Sequence, residues 1–169
     1  TLRNDGTSRF SEDNRWGLFP SAAFAWNIAQ EKFLEDARAL SALKLRLGWG
    51  QTGQQEVPGG YYPYIPAYSY LNSGTAQYFD GVAGTLAPNS YNAALKWETT
   101  TTYNAGLDFG FLSGRINGSL DYYYRQTEDL LSEVDIPTGM NFTNRLMSNI
   151  GEMKNQGVEL SLNFVPSET

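Results

Sequence analysis

The chain has 169 residues, no Cys, no His and a formal net charge of -6. Lacking those two residue types, it cannot carry disulfides, thiolate nucleophiles, Ser-His or Cys-His catalysis, or the usual zinc ligand sets; an acidic balance without a basic run also argues against a nucleic-acid surface. Aromatics reach 14% while charged residues reach only 18%, below the ~25% of typical soluble domains, and 17 glycines complete a composition suited to extended structure.

In chain order, Leu2 and Arg3 read as the tail of a strand, followed by a polar connection over 4–15. Phe24-Ala25-Trp26-Asn27-Ile28 is a weak strand that Pro20 introduces. From Ala29 to Ala42, the helical spacing of Phe33, Leu34, Ala37 and Leu40 predicts a short amphipathic helix. Leu43-Lys44-Leu45-Arg46-Leu47-Gly48-Trp49-Gly50 alternates apolar odd positions with cationic or glycine even ones, the period of a two-faced strand. A long stretch, 51–96, is rich in Gly, Pro, Asn and Ser and exceeds the usual loop lengths of compact domains. Then Tyr103-Asn104-Ala105-Gly106-Leu107-Asp108-Phe109 and Ile116 to Arg125 alternate on either side of a tight connection at 110–115, a β-hairpin. A second long polar stretch covers 130–150. Val158-Glu159-Leu160-Ser161-Leu162-Asn163-Phe164 repeats the two-faced pattern, and the chain stops shortly afterwards. With no initiator Met and no apolar leader at Thr1, the expectation is a piece of a longer sheet protein.

Compact and long connections alternate, and antiparallel strands place alternate connections on opposite rims. Every long loop should therefore lie on one rim. That asymmetry, with short turns on the other rim, belongs to outer-membrane barrels, whose spanning strands escape hydropathy tests because they alternate. The fold expected is all-β: a partial antiparallel transmembrane barrel wall of five to six strands with long extracellular loops, all of 1–169 belonging to one barrel domain. With the long-loop rim outside, Trp49, Trp97, Tyr122 and Tyr124 end the apolar faces in an outer aromatic girdle, and Phe109 and Phe164 form an inner one. Leu45, Leu47, Leu107, Leu120, Leu160 and Leu162 would face lipid between them. Lys44, Arg46, Asn104, Asp108, Asn117, Asp121, Arg125, Glu159 and Asn163 would face the lumen, against a plug or a solute path. A soluble antiparallel sheet with one buried face also alternates; it would place Leu45, Leu47, Leu160 and Leu162 in a closed core.

Several segments resemble the SusC/RagA family of TonB-linked outer-membrane transporters of Bacteroidetes. They are Arg3-Asn4-Asp5-Gly6-Thr7-Ser8-Arg9-Phe10, Asn14-Arg15-Trp16-Gly17-Leu18-Phe19-Pro20-Ser21, Leu43-Lys44-Leu45-Arg46 on to Gly50-Gln51-Thr52-Gly53, Leu95-Lys96-Trp97-Glu98-Thr99-Thr100-Thr101, Gly106-Leu107-Asp108-Phe109-Gly110, Asp121-Tyr122-Tyr123, Asn149-Ile150-Gly151-Glu152-Met153 and Asn155-Gln156-Gly157-Val158-Glu159-Leu160. Their order and spacing resemble the late barrel of that family. The resemblance implies a plugged barrel of about 22 strands, with the plug, its TonB-contacting segment and the remaining strands outside these residues. It implies import of oligosaccharide or peptide, a SusD-like surface lipoprotein as lid, the TonB complex as a partner through the plug, and outer-membrane lipid around the wall. A siderophore receptor and a soluble carbohydrate-binding module are the alternatives.

Other motifs weigh less. Gly48-Trp49-Gly50-Gln51-Thr52-Gly53 fits G-x-G-x-x-G, but Pro58-Gly59-Gly60 forbids the helix that would receive a pyrophosphate. Asp108 and Asp121 could pair as glycosidase acid and base, yet a lumen wall accounts for them better, so no enzyme and no cofactor are expected. Asp13, Asp80, Asp129 and Asp135 make no spaced calcium array. Tyr61, Tyr62, Tyr64, Tyr68 and Tyr70 form the densest aromatic stretch, and their flat faces with hydroxyls suit a ligand, a lid, or packing of the loop on itself.

Overall fold

The computed structural model describes residues 1–35, 39–58, 61–71 and 85–166, with the side chains of 69–71 and 85–87 left aside. Ten strands follow in order: β1 (Leu2–Gly6), β2 (Trp16–Asn27), β3 (Leu40–Gln54), β4 (Tyr68–Leu71), β5 (Thr85–Pro88), β6 (Glu98–Phe111), β7 (Ile116–Glu128), β8 (Leu131–Asp135), β9 (Arg145–Asn149) and β10 (Glu152–Phe164). Six make one antiparallel sheet in the order β1-β2-β3-β6-β7-β10, while β4-β5 and β8-β9 are separate hairpins. The main strands neighbour in space in the order in which they occur along the chain, as an up-and-down wall requires.

The register fixes two faces. One cross-strand row runs Trp26, Leu45, Leu107, Leu120, Leu160, and the next runs Phe24, Leu47, Ala105, Tyr122, Val158. Leu47 is 44% exposed and Leu160 and Leu162 are each 62% exposed, so no closed core covers this face. The soluble-module expectation fails there, because a water-soluble sheet would bury it. Aromatics close both ends of the face. Trp49, Tyr103 and Tyr124 form one row, with the last two rings 6.2 Å apart; Phe111, Ile116 and Phe164 form the other. Eight residues separate Tyr103 from Phe111, about 26 Å along a strand, close to the ~25 Å apolar band of outer-membrane barrels.

The strands are longer than that band. β3 has 15 residues, where about 10 suffice to cross a bilayer. The excess lies beyond the Trp49 row and is polar on both faces: Gln51 donates to Thr101 Oγ1 at 3.2 Å and the hydroxyls of Thr100 and Thr127 meet at 2.9 Å. These ends stand above the apolar band and carry the long connections 7–15, 55–97 and 129–151. The opposite rim carries the short connections after β2 and after β6. Leu112 N donates to Ala39 O at 3.0 Å, tying those two connections together, and Gly114 N donates to Ser41 Oγ in β3 at 3.1 Å.

Three expectations need correction. The amphipathic helix over 29–42 is absent: 3-10 turns at Ile28–Gln30 and Lys32–Leu34 stand in its place, and β3 already starts at Leu40. An isolated helix this short is marginal, Phe33 finds no surface to pack on and is 69% exposed, and Glu31 is extended, accepting a hydrogen bond from Trp26 Nε1 at 3.0 Å. Ala37 lies outside the described residues. The stretches 51–96 and 130–150, read as loops throughout, contain the hairpins β4-β5 and β8-β9. Trp97 does not belong to the girdle. It precedes β6, is 8% exposed, and packs with Phe10, Phe19, Val57 and Leu95 in a small core at the long-loop rim.

Candidate functional site

Lys44, Arg46, Asn104, Asp108, Asn117, Asp121, Arg125, Glu159 and Asn163 all fall on the face opposite the leucine rows, as the register of β3, β6, β7 and β10 dictates. At its centre the row Arg46, Gly106, Asp121, Glu159 crosses four strands. Arg46 reaches diagonally to Asp108, with Nε to Oδ2 at 2.9 Å and Nη2 to Oδ1 at 2.7 Å, and over Gly106 to Asp121 Oδ1 at 2.8 Å. The bridge passes close over a glycine: a Cβ on Gly106 would stand 2.4 Å from Asp121 Oδ1 and 2.8 Å from Arg46 Cζ, so these side-chain ends would have to shift. Both aspartates are therefore engaged by one guanidinium, an arrangement that fixes strand register and leaves no free acid and base. The glycine motif from Gly48 to Gly53 lies wholly inside β3, with no helix after it.

The second region is the long-loop rim. Its small core draws on all three long connections: Phe10 from 7–15, Val57, Leu95 and Trp97 from 55–97, with Leu131 and Met147 of the third packed against it. The rings of Phe10 and Phe19 meet Trp97 edge-on at 5.8 and 5.5 Å, and Trp97 Nε1 donates to Arg15 O at 3.3 Å. Side-chain amides then stitch the loops. Asn149 Oδ1 accepts from Lys96 N, and Asn149 Nδ2 donates to the carbonyls of Lys96 and Asp129, each bond 2.9 Å. Lys96 Nζ lies 2.7 Å from Asp129, and Asn141 Nδ2 donates to Tyr91 O at 3.0 Å. Backbone groups that strand pairing cannot satisfy are taken by these Asn side chains, so the loops hold a defined shape.

Above this core a groove of about 730 Å³ opens between Pro58 and the segment 61–67 on one side and the β8-β9 hairpin on the other. Tyr61 and Tyr62 line one wall, 70% and 54% exposed, and Arg9 lies 5.4 Å over the Tyr61 ring. Tyr64 and Tyr68 do not line it, and the Tyr70 side chain is outside the described residues, as is Asp80. No sequence pattern pointed to the opposite wall, with Tyr91, Glu133, Asn144, Arg145 and Met147. Only the two acids Glu133 and Asp135 ahead of a lone Arg145 could have suggested a charged hairpin; Arg145 lies 3.5 Å from Glu133 and 3.3 Å from Asp135. Among the described residues no cluster of three or more His, Asp or Glu side chains could hold a metal.

A two-faced antiparallel sheet with an uncovered apolar face between aromatic rows, and all its long loops on one rim, defines the wall of an outer-membrane-type β-barrel. The family model "TonB dependent receptor-like, beta-barrel" matches residues 1–165. The chain belongs to this family. It is 54% identical over its full length to the TonB-dependent receptor SusC of Bacteroides thetaiotaomicron, covering 17% of that protein. A TonB-dependent receptor of Formosa agariphila is 36% identical over 96% of the chain, which covers 16% of it. Among solved structures, the RagAB peptide importer in its closed-closed state matches 99% of the chain with a TM-score of 0.82 and 31% identity, the match spanning 18% of that chain. The chain thus spans about a sixth of the length of the relatives it matches. The SusC/RagA resemblance is borne out, and with it the all-β barrel fold. TonB-dependent receptor barrels sit in the Gram-negative outer membrane, and the matched relatives are receptors and importers.

Proposed function

We propose that this chain is part of the wall and outer loops of a SusC-like importer in the outer membrane, which draws oligosaccharide or peptide nutrients inward with TonB-supplied energy. All of 1–169 then belongs to one barrel domain, and the protein is not an enzyme. The observation that carries the reading is the pairing of a lipid-suited face with a charged face on strands whose long loops share one rim. The Arg46 face looks into the lumen, where plug contact is its first role and lining the solute path its second. The loop rim faces outward, toward solute and a SusD-like lipoprotein lid. The test is uptake by cells carrying the full-length gene: import of glycan or peptide should need both the receptor and TonB. Uptake that persists without TonB, or a full-length protein that stays soluble without detergent, would overturn the proposal.

The two faces make a second prediction. Leu160 lies mid-strand on the face assigned to lipid, while Ser161 lies on the opposite one. Leu160→Arg should cost the folded barrel about 2–4 kcal/mol, as for cations at the bilayer midplane. Ser161→Arg should change stability by less than about 1 kcal/mol. Urea unfolding of the full-length protein in lipid, followed by gel mobility, checks this. Equal costs at the two positions would reverse or abolish the facing.

A further inference from the structure

We infer that the apolar face of the wall carries a fixed seat for one acyl chain of an outer-leaflet lipid, over Ala22 and Ala105 between Phe24, Trp49, Tyr103 and Tyr122. This rests on the outer-membrane reading and adds a defined lipid site to it. A notch of about 460 Å³ opens there, and the register explains why. Ala22 stands beside Trp49 and Tyr103 in one cross-strand row, and Ala105 stands between Leu47 and Tyr122 in the next, which also contains Phe24. Each row thus has a single methyl group among large side chains, and Phe24, Tyr103 and Tyr122 project from the sheet as exposed walls.

The occupant follows from continuity with the surrounding face, which lipid covers. Lipid chains are as apolar as these walls, so leaving the bulk bilayer gains a chain nothing by itself. What the notch adds is shape. Left empty, its lining would lack dispersion partners on one side, and an apolar site offers water no hydrogen-bond partners. Aromatic walls with two torsions each lose little freedom when a chain settles between them. The upper edge of the notch lies in the aromatic row, at headgroup level. There the Tyr103 hydroxyl has no hydrogen-bond partner among the described residues, and it can donate to the ester or amide carbonyl at the head of the chain. Higher on the same face stand Glu128, Glu152 and Lys154, with Lys154 Nζ 2.8 Å from Glu152. They carry no net positive charge, so the seat holds the chain and does not select an anionic headgroup.

The experiment uses the full-length receptor in phosphatidylethanolamine nanodiscs that contain a trace of the same lipid with a photoreactive diazirine near the carboxyl end of one chain. Label mapped by peptide mass spectrometry should be about fivefold denser around Tyr103 and Ala105 than around Leu160 on the same face. Ala105→Leu, and separately Ala22→Leu, fill the notch and should each lower that label about fivefold, with the heat-modifiable mobility of the barrel unchanged. Leu160→Phe, outside the notch, should leave it within about twofold, as should phosphatidylglycerol with the same chains. Label spread evenly over the face, label indifferent to both alanine substitutions, or label that follows headgroup charge overturns the inference. A second receptor copy seated in the notch, seen by electron cryomicroscopy of the same nanodiscs, also overturns it. Failure of the outer-membrane reading would show separately, as no label anywhere on this face.

Discussion

Replacing Gly106 with alanine is expected to destabilise the barrel by about 0.5–1 kcal/mol, the loss of a partly exposed ion pair, whereas Gly48→Ala should stay within about 0.5 kcal/mol. Both glycines lie on the charged face, on adjacent strands. They differ in what lies above them. A Cβ at Gly48 meets nothing closer than Asn104 Cβ at 3.7 Å, an ordinary contact, but at Gly106 it would enter the space between Arg46 and Asp121. The guanidinium would have to lift away from Asp121, leaving a carboxylate unpaired beside Glu159 in the same row. The ion pairs are worth about 0.2–1 kcal/mol each at this exposure, and the groups a Cβ would meet are the ends of flexible side chains, so the cost is that of losing the Asp121 bridge. Urea titration of the full-length protein, read by the mobility difference between folded and unfolded barrels, measures both variants. Equal midpoints would show that the Arg46 bridge has room to shift.

Trp97→Ala should act on the loops and spare the wall. Truncating a buried Trp typically costs about 3–5 kcal/mol, and two edge-on aromatic contacts add to the loss. That energy holds together 7–15, 55–97 and 129–151, because each contributes to or packs on the core around Trp97. Limited proteolysis of the full-length variant should therefore show new cleavage in all three segments at once, with the heat-modifiable mobility of the barrel unchanged. Trp49→Ala removes a ring from the apolar face, away from that core, and should leave the loops as protected as in the parent protein. Cleavage confined to 55–97 would mean that the loops are held independently.

The wall was readable from sequence because its determinants are local. Period-two alternation in 43–50, 103–109, 116–125 and 158–164 names the faces without knowledge of any partner, and unequal connection lengths order the rims. The glycine at 106 is legible only as a gap in the pattern; that the arginine directly opposite it on the neighbouring strand reaches across it to Asp121 depends on the alignment of β3, β6 and β7. The helix expected over 29–42 failed for a related reason, since its apolar positions had the right spacing but no surface to meet. Trp97 was assigned to the lipid girdle from its place beside a strand start, and burial against Phe10, 87 residues earlier, overrode that.

Taken alone, then, the sequence determined that this is a barrel wall, which side chains share each face, and which rim carries the loops, because alternation and turn length act over a few residues. Tertiary structure alone decided what the outer rim is. The shared core, the Asn-stitched loops and the groove above them are assembled from segments up to about 135 residues apart, and no local pattern encodes contacts that form only when strands of fixed register bring their loops together.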